Sequence, residues 1–322
     1  MLRVNPDRVV SRRPDDLMSL PQQDIPLSVI IVTYNSAGEI GACLHALMPQ
    51  VEFLNGEIIV VDNASRDGTL SVVYEKTSDF NAIQVIENKH NYGFAVANNQ
   101  GLETARGDHI FILNPDTQVQ VGSVEILLNA LQGDDHLGAV APQLLWPDGH
   151  IQRSCRRLPT HWDVVVHSLG LNLLRPNSRF LNGWKMGDFN HAYPREVDQP
   201  AGAALMVRGS LLRELDGFNR QFPMFFNDVD LCRRIWDAGY KILFQPEAQV
   251  VHLGGSAVLK NRTAMIVSSH ISFFRYLEKN YDRLHHQIFN LLAGLLLYLG
   301  LIPRLLWHWL GLALRFRRKD AL

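Results

Sequence analysis

The run Leu27 to Thr33 (LSVIIVT) is continuously apolar and β-branched, the pattern of a strand covered on both faces. It stops at Tyr34-Asn35-Ser36. From Gly38 to Leu47 apolar residues recur at helical spacing, which predicts a helix ending before Pro49. Glu57 to Asp62 (EIIVVD) is a second buried strand, and Asn63 to Gly68 is dense turn chemistry. Thr69 to Lys76 predicts a helix, Ala82 to Glu87 a third strand and Gly93 to Ala105 another helix. His109 to Leu113, mostly apolar and too short for a helix, reads as a buried strand and breaks at Asn114-Pro115-Asp116. Proline cannot continue a ladder and biases Asn114 towards an extended conformation, so Asp116 is expected on a fixed turn just past the strand.

Further along, Val121 to Leu131 predicts a helix and Gly138 to Leu145 a strand. Between Trp146 and Pro200 the periodicity fades while Pro, Asn, Arg and aromatic residues accumulate, and this stretch is expected to be a variable lid or acceptor region. Order returns at Gly202 to Val207, followed by a short helix from Ser210 and a turn at Asp216-Gly217-Phe218. Asp228 is placed to begin a helix that runs to Ala238 and is closed by Gly239. Lys241 to Gln245 and Gln249 to His252 are expected as a pair of short strands.

Strands alternating with helices at this spacing predict an α/β fold with a mixed, mostly parallel sheet and right-handed crossovers. The loops at the carboxyl ends of the strands, Thr33 to Asn35, Asp62-Asn63, Asn91 to Gly93 and Asn114 to Asp116, should then converge on one polar, acidic rim. No G-x-G-x-x-G or Walker-type loop follows the first strand, so something other than a glycine cradle must meet any phosphate. Taken singly, Asp62 and Asp116 read as turn residues, Asp228 as a helix cap and His252 as a capping or solvated imidazole.

A hydrophobic fraction of 47% over 322 residues supplies a core, and a net charge of -1 argues against a nucleic-acid partner. The three cysteines, Cys43, Cys155 and Cys232, have no metal-ligand spacing and are expected as reduced thiols. The polar stretch 1–24 is expected to be a loosely ordered leader without the apolar run of a secretory signal. The tail differs in kind. Ala264 to Tyr281 reads as an amphipathic helix. Ile288 to Ile302 is almost wholly apolar for about fifteen residues, short of the ~20 that cross a bilayer, and Pro303-Arg304 is expected to interrupt it. Leu305 to Phe316 is again apolar and aromatic, and Arg315, Arg317, Arg318 and Lys319 follow. Basic residues beside tryptophan and leucine predict a segment, 257–322, lying on an anionic leaflet, with packing on the catalytic domain or on a dimer partner as the alternative.

The segments SVIIVTYNS, EIIVVDNASRDGT, NYGFAVANNQG, FILNPDT, GAALMVRG, DGFNRQFPMFFNDVDLCRRIWDAGY and HLGGS occur in that order between Leu27 and Ser256. Together they resemble the nucleotide-sugar glycosyltransferases of family 2, which have the GT-A fold. Within that family the sequence is most similar to bacterial rhamnosyltransferases of cell-surface polysaccharide assembly (O-antigen or cell-wall linker). The resemblance implies a catalytic domain over 25–256 and an inverting transfer of L-rhamnose from dTDP-rhamnose to a polyprenyl-diphosphate-linked saccharide. It also implies work at the cytoplasmic face of the inner membrane. Residue by residue, it implies that Thr33, Tyr34 and Asn35 line the base pocket, that Asp62 binds the nucleoside, and that Asn91, Gly93, Phe94 and Asn98 pack under the nucleotide sugar. Asp116 matches the last aspartate of a DXD-like element, the ligand for Mg²⁺ or Mn²⁺, and Asn114 stands where its first aspartate is usual. Asp228 matches the catalytic base, with Asn227 in place of a usual Glu, and His252 matches a histidine that reaches metal or diphosphate.

Other readings stay open on the sequence. The donor could be UDP- or GDP-linked. A nucleotidyltransferase shares a related sheet, but the stretch Thr33 to Gly38 lacks its glycine-rich basic loop. Asn114 and Asn227 in acidic positions also motivate a catalytically silent nucleotide-sugar-binding scaffold. For Asp228 two effects compete: a helix N-terminus lowers a carboxylate's pKa, and burial beside Phe225 and Phe226 raises it.

Overall fold

The structure, a computed structural model, describes residues 25–222, 224–254 and 262–319, and leaves the side chains of residue 262 and of those beyond 305 undescribed. The expected leader (1–24), Gly255 and Ser256 of the HLGGS segment, and the expected domain boundary after residue 256 lie outside the described residues.

The first half of the chain is regular βαβ. Strand β1 (Leu27–Thr33), helix α1 (Ile40–Phe53), β2 (Glu57–Asp62), α2 (Thr69–Lys76), β3 (Ile83–Glu87), α3 (Phe94–Thr104) and β4 (His109–Leu113) follow one another. The four strands are parallel in the order β3-β2-β1-β4. Their alternation feeds two cores: Val29, Ile31, Ile58 and Val60 pack with α1, while Ile30, Ile59 and Val61 pack with α3. Gly101 lets α3 come close to the sheet, since a Cβ there would stand 2.6 Å from Ile30 Cγ2. At the amino end of β2, buried Glu57 accepts two bonds from the Arg106 guanidinium (2.9 and 2.6 Å) and one from Ser28 Oγ (2.7 Å).

The second half adds β5 (Thr117–Val119), α4 (Ser123–Gln132), β6 (Leu137–Leu145), β7 (Ile151–Gln152), β8 (Cys155–Arg156), α5 (His161–Ser168), β9 (Arg195–Glu196), β10 (Gln199–Pro200), β11 (Ala204–Arg208), α6 (Gly209–Glu214), α7 (Asn227–Asp237) and β12 (Lys241–His252). The sheet continues β4-β11-β6-β12-β5. Strand β11 is antiparallel to both neighbours, β12 is parallel to β6, and β5 is antiparallel to β12. Two helices complete the described chain, α8 (Arg262–Asn280) and α9 (Leu284–Lys319).

Four local expectations are corrected. Helix α1 runs through Pro49 to Phe53, because Val51 beyond the proline is fully buried in the core. A short strand, β5, follows the Asp116 turn, held by pairing of Gln118 and Val119 with the distant Val251 and Val250. The two strands expected over 241–252 are one, with a register irregularity between Gln245 and Gln249. Pro303 does not end the tail helix. It lies on the exposed side of α9 together with Leu299, the residue whose carbonyl it leaves without an intrahelical donor.

The stretch 146–200 holds only short elements, among them the β8–β10 ladder and α5, whose Asp163 carboxylate accepts from Thr160 N (2.9 Å) and Oγ1 (2.7 Å). A third core joins α5, α7, α8 and α9 through Val164, Phe222, Phe226, Val229, Phe273, Tyr276, Leu277, Ala293 and Leu297. One side of α9 is therefore built into the protein. The other is bare: Ile288 is 67%, Leu291 72% and Tyr298 64% exposed. The stretch Leu284–Leu305 of α9 is long and apolar enough to cross a membrane, by length and composition.

Candidate active site

The loops at the carboxyl ends of β1, β2 and β4 and the amino end of α3 border one cleft of about 370 Å³, within the size range of small-ligand sites. Tyr34, Asn35, Asn63, Asn91, Gly93, Phe94, Asn114 and Asp116 line it from this half of the chain. Ala201, Gly202, Ala203, Met224, Phe225, Asn227, Asp228 and His252 line it from the other.

Thr33, Asp62 and Asn98 stand behind this lining. Asp62 is 1% exposed, and its oxygens accept from Thr33 Oγ1 (2.8 Å), Ser65 N (2.9 Å) and Ser65 Oγ (2.6 Å). Ser65 Oγ also accepts from Asn35 N (2.8 Å), and Asn35 Oδ1 accepts from Arg66 N (2.8 Å). Asp62 thus braces the loop that presents Asn35, whose φ of 52° suits asparagine. Asn98 is also buried and donates from Nδ2 to Phe94 O (2.9 Å). Asn63 donates to Gly93 O (3.2 Å) and accepts from Asn88 Nδ2 (3.0 Å), fixing the start of α3. Gly93 itself sits at φ 84°, where a side chain would be strained.

Asp116 and His252 face each other because the β5–β12 register sets His252 opposite Thr117. His252 Nε2 is 3.4 Å from Asp116 Oδ1, and its Nδ1 is 2.7 Å from Gln152 Oε1. An imidazole whose Nδ1–H donates to an amide oxygen presents Nε2 as a lone pair, the usual preparation of a metal-ligating histidine. Among the described residues no group of three or more His, Cys, Asp or Glu gathers to hold an ion. One carboxylate and one imidazole still fit a divalent cation that keeps waters and takes oxygens from a bound diphosphate.

Asp228 is the second residue of α7. The two residues before Asn227 are Phe225 (φ 59°) and Phe226 (φ 58°), consecutive left-handed conformations that cost roughly 1–3 kcal/mol each and concentrate at working sites. They turn the chain so that Asp228 reaches the cleft. Its Oδ2 accepts from Gly202 N (3.1 Å) and Gln199 Nε2 (3.3 Å), and its Oδ1 from Val229 N (2.9 Å). Burial dominates over these bonds and over the field of Arg156, so its pKa is raised from the ordinary carboxylate value. The competition left open by the sequence is thereby decided. Gly202 must be a glycine, because a Cβ there would lie 2.9 Å from Asp228 Cβ. Arg233 and Arg234 pair with Asp237 (2.9 Å) and Asp230 (2.8 Å).

Sequence reasoning missed Gln199 and Arg156 as neighbours of Asp228, since both lie in the stretch without periodicity. It read Asn63 only as part of a rim loop, and Gly202 only as the start of an apolar run. The GAALMVRG segment was the available signal for Gly202.

The sequence profile described as glycosyl transferase family 2 matches residues 28–199 of this chain, more than half its length. The chain belongs to glycosyl transferase family 2. It is 25% identical over 262 residues to an N-acetylglucosaminyl-diphospho-decaprenol L-rhamnosyltransferase of Mycobacterium tuberculosis, covering 78% of this chain and 83% of that protein. It is 24% identical over 235 residues to the O-antigen biosynthesis protein RfbC of Myxococcus xanthus, covering 72% of this chain and 18% of that one. In three dimensions it resembles the mannosyltransferase PcManGT of Pyrobaculum calidifontis, solved with GDP-Man and Mn²⁺, at a TM-score of 0.54 and 20% identity. That likeness covers 91% of this chain and 82% of the other. The family 2 glycosyltransferase described here therefore has the GT-A fold, a mixed, mostly parallel sheet flanked by helices.

Proposed function

We propose that this glycosyltransferase moves L-rhamnose from dTDP-rhamnose to a prenyl-diphosphate-linked saccharide, with inversion, while α9 lies against the cytoplasmic leaflet of a bacterial inner membrane. The observation that carries the reading is a single cleft holding one desolvated carboxylate, Asp228, together with the Asp116–His252 pair. In an inverting transfer the acceptor hydroxyl attacks the anomeric carbon as the nucleoside diphosphate departs from the opposite face. One base suffices, and Asp228 takes the proton. Its raised pKa makes it a stronger base than a solvated aspartate. Asp116 and His252 would hold a divalent ion, Mg²⁺ or Mn²⁺, whose charge offsets that developing on the leaving diphosphate. Tyr34, Asn35 and Asn63 border the place for the base and ribose, with Asp62 and Thr33 bracing them. Asn91, Gly93, Phe94 and Asn114 border the sugar diphosphate, with Asn98 beneath.

The choice of rhamnose and of a lipid-linked acceptor draws support from the rhamnosyltransferase relative and from the bare apolar side of α9. Calorimetric titration of the protein with dTDP, UDP and GDP, each with and without Mn²⁺, tests the donor. Metal-dependent binding of dTDP in preference to the other two is expected. Preference for UDP or GDP replaces rhamnose with another sugar, and binding of none of the three removes the donor site.

A further inference from the structure

Arg156, beside Asp228, and Arg304, on the tail helix, both act on Lys185. Arg156 is paired across the β8–β10 ladder with Gln199, the residue whose amide reaches Asp228 Oδ2. Its Nη1 donates only to backbone oxygens, Arg153 O (3.1 Å) and Cys155 O (2.9 Å). Lys185 follows Trp184, whose carbonyl accepts from Arg157 N (2.8 Å) and whose ring meets His167 of α5 edge-on at 5.0 Å and Phe273 of α8 at 5.4 Å. Arg304 reaches from α9 to α8, with Nη1 3.2 Å from His270 Nε2. His270 Nδ1 lies 2.8 Å from Ile266 O, so Nε2 is the acceptor for the guanidinium.

These groups feel one another. The pKa of Lys185 is lowered by burial and then by Arg156 and Arg304. Burial, followed by Lys185, Arg304 and Arg156, holds His167 at about 4. Among the described residues, Asp228 is the carboxylate that acts on Arg156. Arg156 and Lys185 are partly desolvated, and cations held so without an anion are costly to keep unless a ligand supplies the negative charge.

We propose that Arg156, Lys185 and Arg304 form the seat for the diphosphate of a prenyl-diphosphate acceptor, whose chain runs along the exposed apolar side of α9. The inference rests on the lipid-acceptor reading above and names the residues that would recognise that lipid. Two observations fix the occupant. The charge is complementary to a compact polyanion, and Arg304 belongs to the same helix stretch, 284–305, that exposes Ile288, Leu291, Leu295 and Tyr298. A diphosphate seated there leaves its first sugar beside Asp228, because Arg156 and Gln199 are cross-strand neighbours.

The test is a calorimetric titration of the full chain with farnesyl diphosphate in EDTA, so that a metal-dependent donor position is not populated. Farnesol and inorganic pyrophosphate serve as companion probes. The wild type is expected to bind farnesyl diphosphate, to bind pyrophosphate more weakly and farnesol least. Lys185→Ala and Arg304→Ala should each weaken farnesyl diphosphate binding about tenfold, with Lys76→Ala on α2 unchanged. Titration of every variant with dTDP and Mn²⁺ should match the wild type, which checks folding. Wild-type binding that persists in both variants, that dTDP displaces, or that farnesol equals overturns the seat alone. No binding of farnesyl diphosphate by the wild type overturns the lipid-acceptor reading and the seat together.

Discussion

The first two of the three aspartates of helix α7, Asp228 and Asp230, stand two residues apart and face different surroundings. Asp230 points into the protein, where Arg234 Nε (2.8 Å) and Lys279 Nζ of α8 (2.5 Å) neutralise it, and Arg234 goes on to Leu215 O and Gly217 O. Asp228 faces the cleft, takes its bonds from two amide N–H groups and a side-chain amide, and has its pKa raised by burial. Asp230 is a tie between α7, α8 and the loop over 215–217. Asp228 is the carboxylate proposed above as the base, and its raised pKa suits it to bind a proton. The supply of cations around a carboxylate, rather than its depth, separates the structural aspartate from the chemical one.

Substitution at each position should separate the two roles, and the largest effect is expected at Asp228. Asp228→Asn should lower the transfer rate about 10²- to 10⁴-fold. Nucleotide binding should persist, and stability should change by less than about 1.5 kcal/mol. Initial-rate assays beside thermal unfolding check this, and a variant with near-normal turnover removes Asp228 as the base. The reverse pattern is expected at Asp230. There Asp230→Asn strands two cations and should cost about 2–4 kcal/mol. That estimate sits below the figure for a fully buried pair because the Lys279 side chain is 35% exposed. Denaturant unfolding measures it. Active protein should keep its turnover per folded molecule.

A smaller effect lies in the pH dependence. Asp228 must be ionised to accept a proton, so the acid limb of kcat/KM should lie above the ordinary carboxylate range. Because the folded protein holds that proton more tightly than the unfolded chain, stability attributable to Asp228 is fully present below the unfolded pKa and is lost as pH rises through the raised one. Activity should therefore climb over the interval in which this contribution declines. Stability curves that rise monotonically there, with no slope difference between wild type and Asp228→Asn, would contradict the assignment.

Much of the first half of the fold was readable because β1, β2 and β4 are continuous apolar runs ended by Asn, Asp or Pro, and local pattern is all that a doubly covered strand needs. Where tertiary packing outweighs a local rule, the reading failed: Pro49 should end a helix, but buried Val51 holds the next turn in place. Strand β5 has only three residues and exists through partners more than a hundred positions away. The rim residues Asn35, Asn63, Asn114 and Asp116 follow from topology, since loops after parallel strands share an edge. Gln199, Gly202 and Arg156 do not, because their closeness to Asp228 depends on the β8–β10 ladder inside an unpatterned stretch. Asp62 could be picked out by its motif. That its oxygens are filled by Thr33 and Ser65 could not.

Strand β11 runs against β4, so the segment entering it, Ala201 to Ala203, and the turn leaving β4, Asn114 to Asp116, start from one spot, where Asn114 N donates to Ala203 O at 2.8 Å. One side of that junction leads to Gly202 and so to Asp228, the other to Asp116 and His252. The spacing between Asp228, the proposed base, and Asp116 and His252, the proposed seat of the diphosphate's metal ion, is consequently written in main-chain atoms. A slip of one residue would displace one side by about 3.3 Å along the other and send its side chains to the opposite face. Substitutions among the pocket side chains leave that ruler untouched, so such an enzyme can exchange one sugar for another while the gap across which the bond is broken and made stays the same.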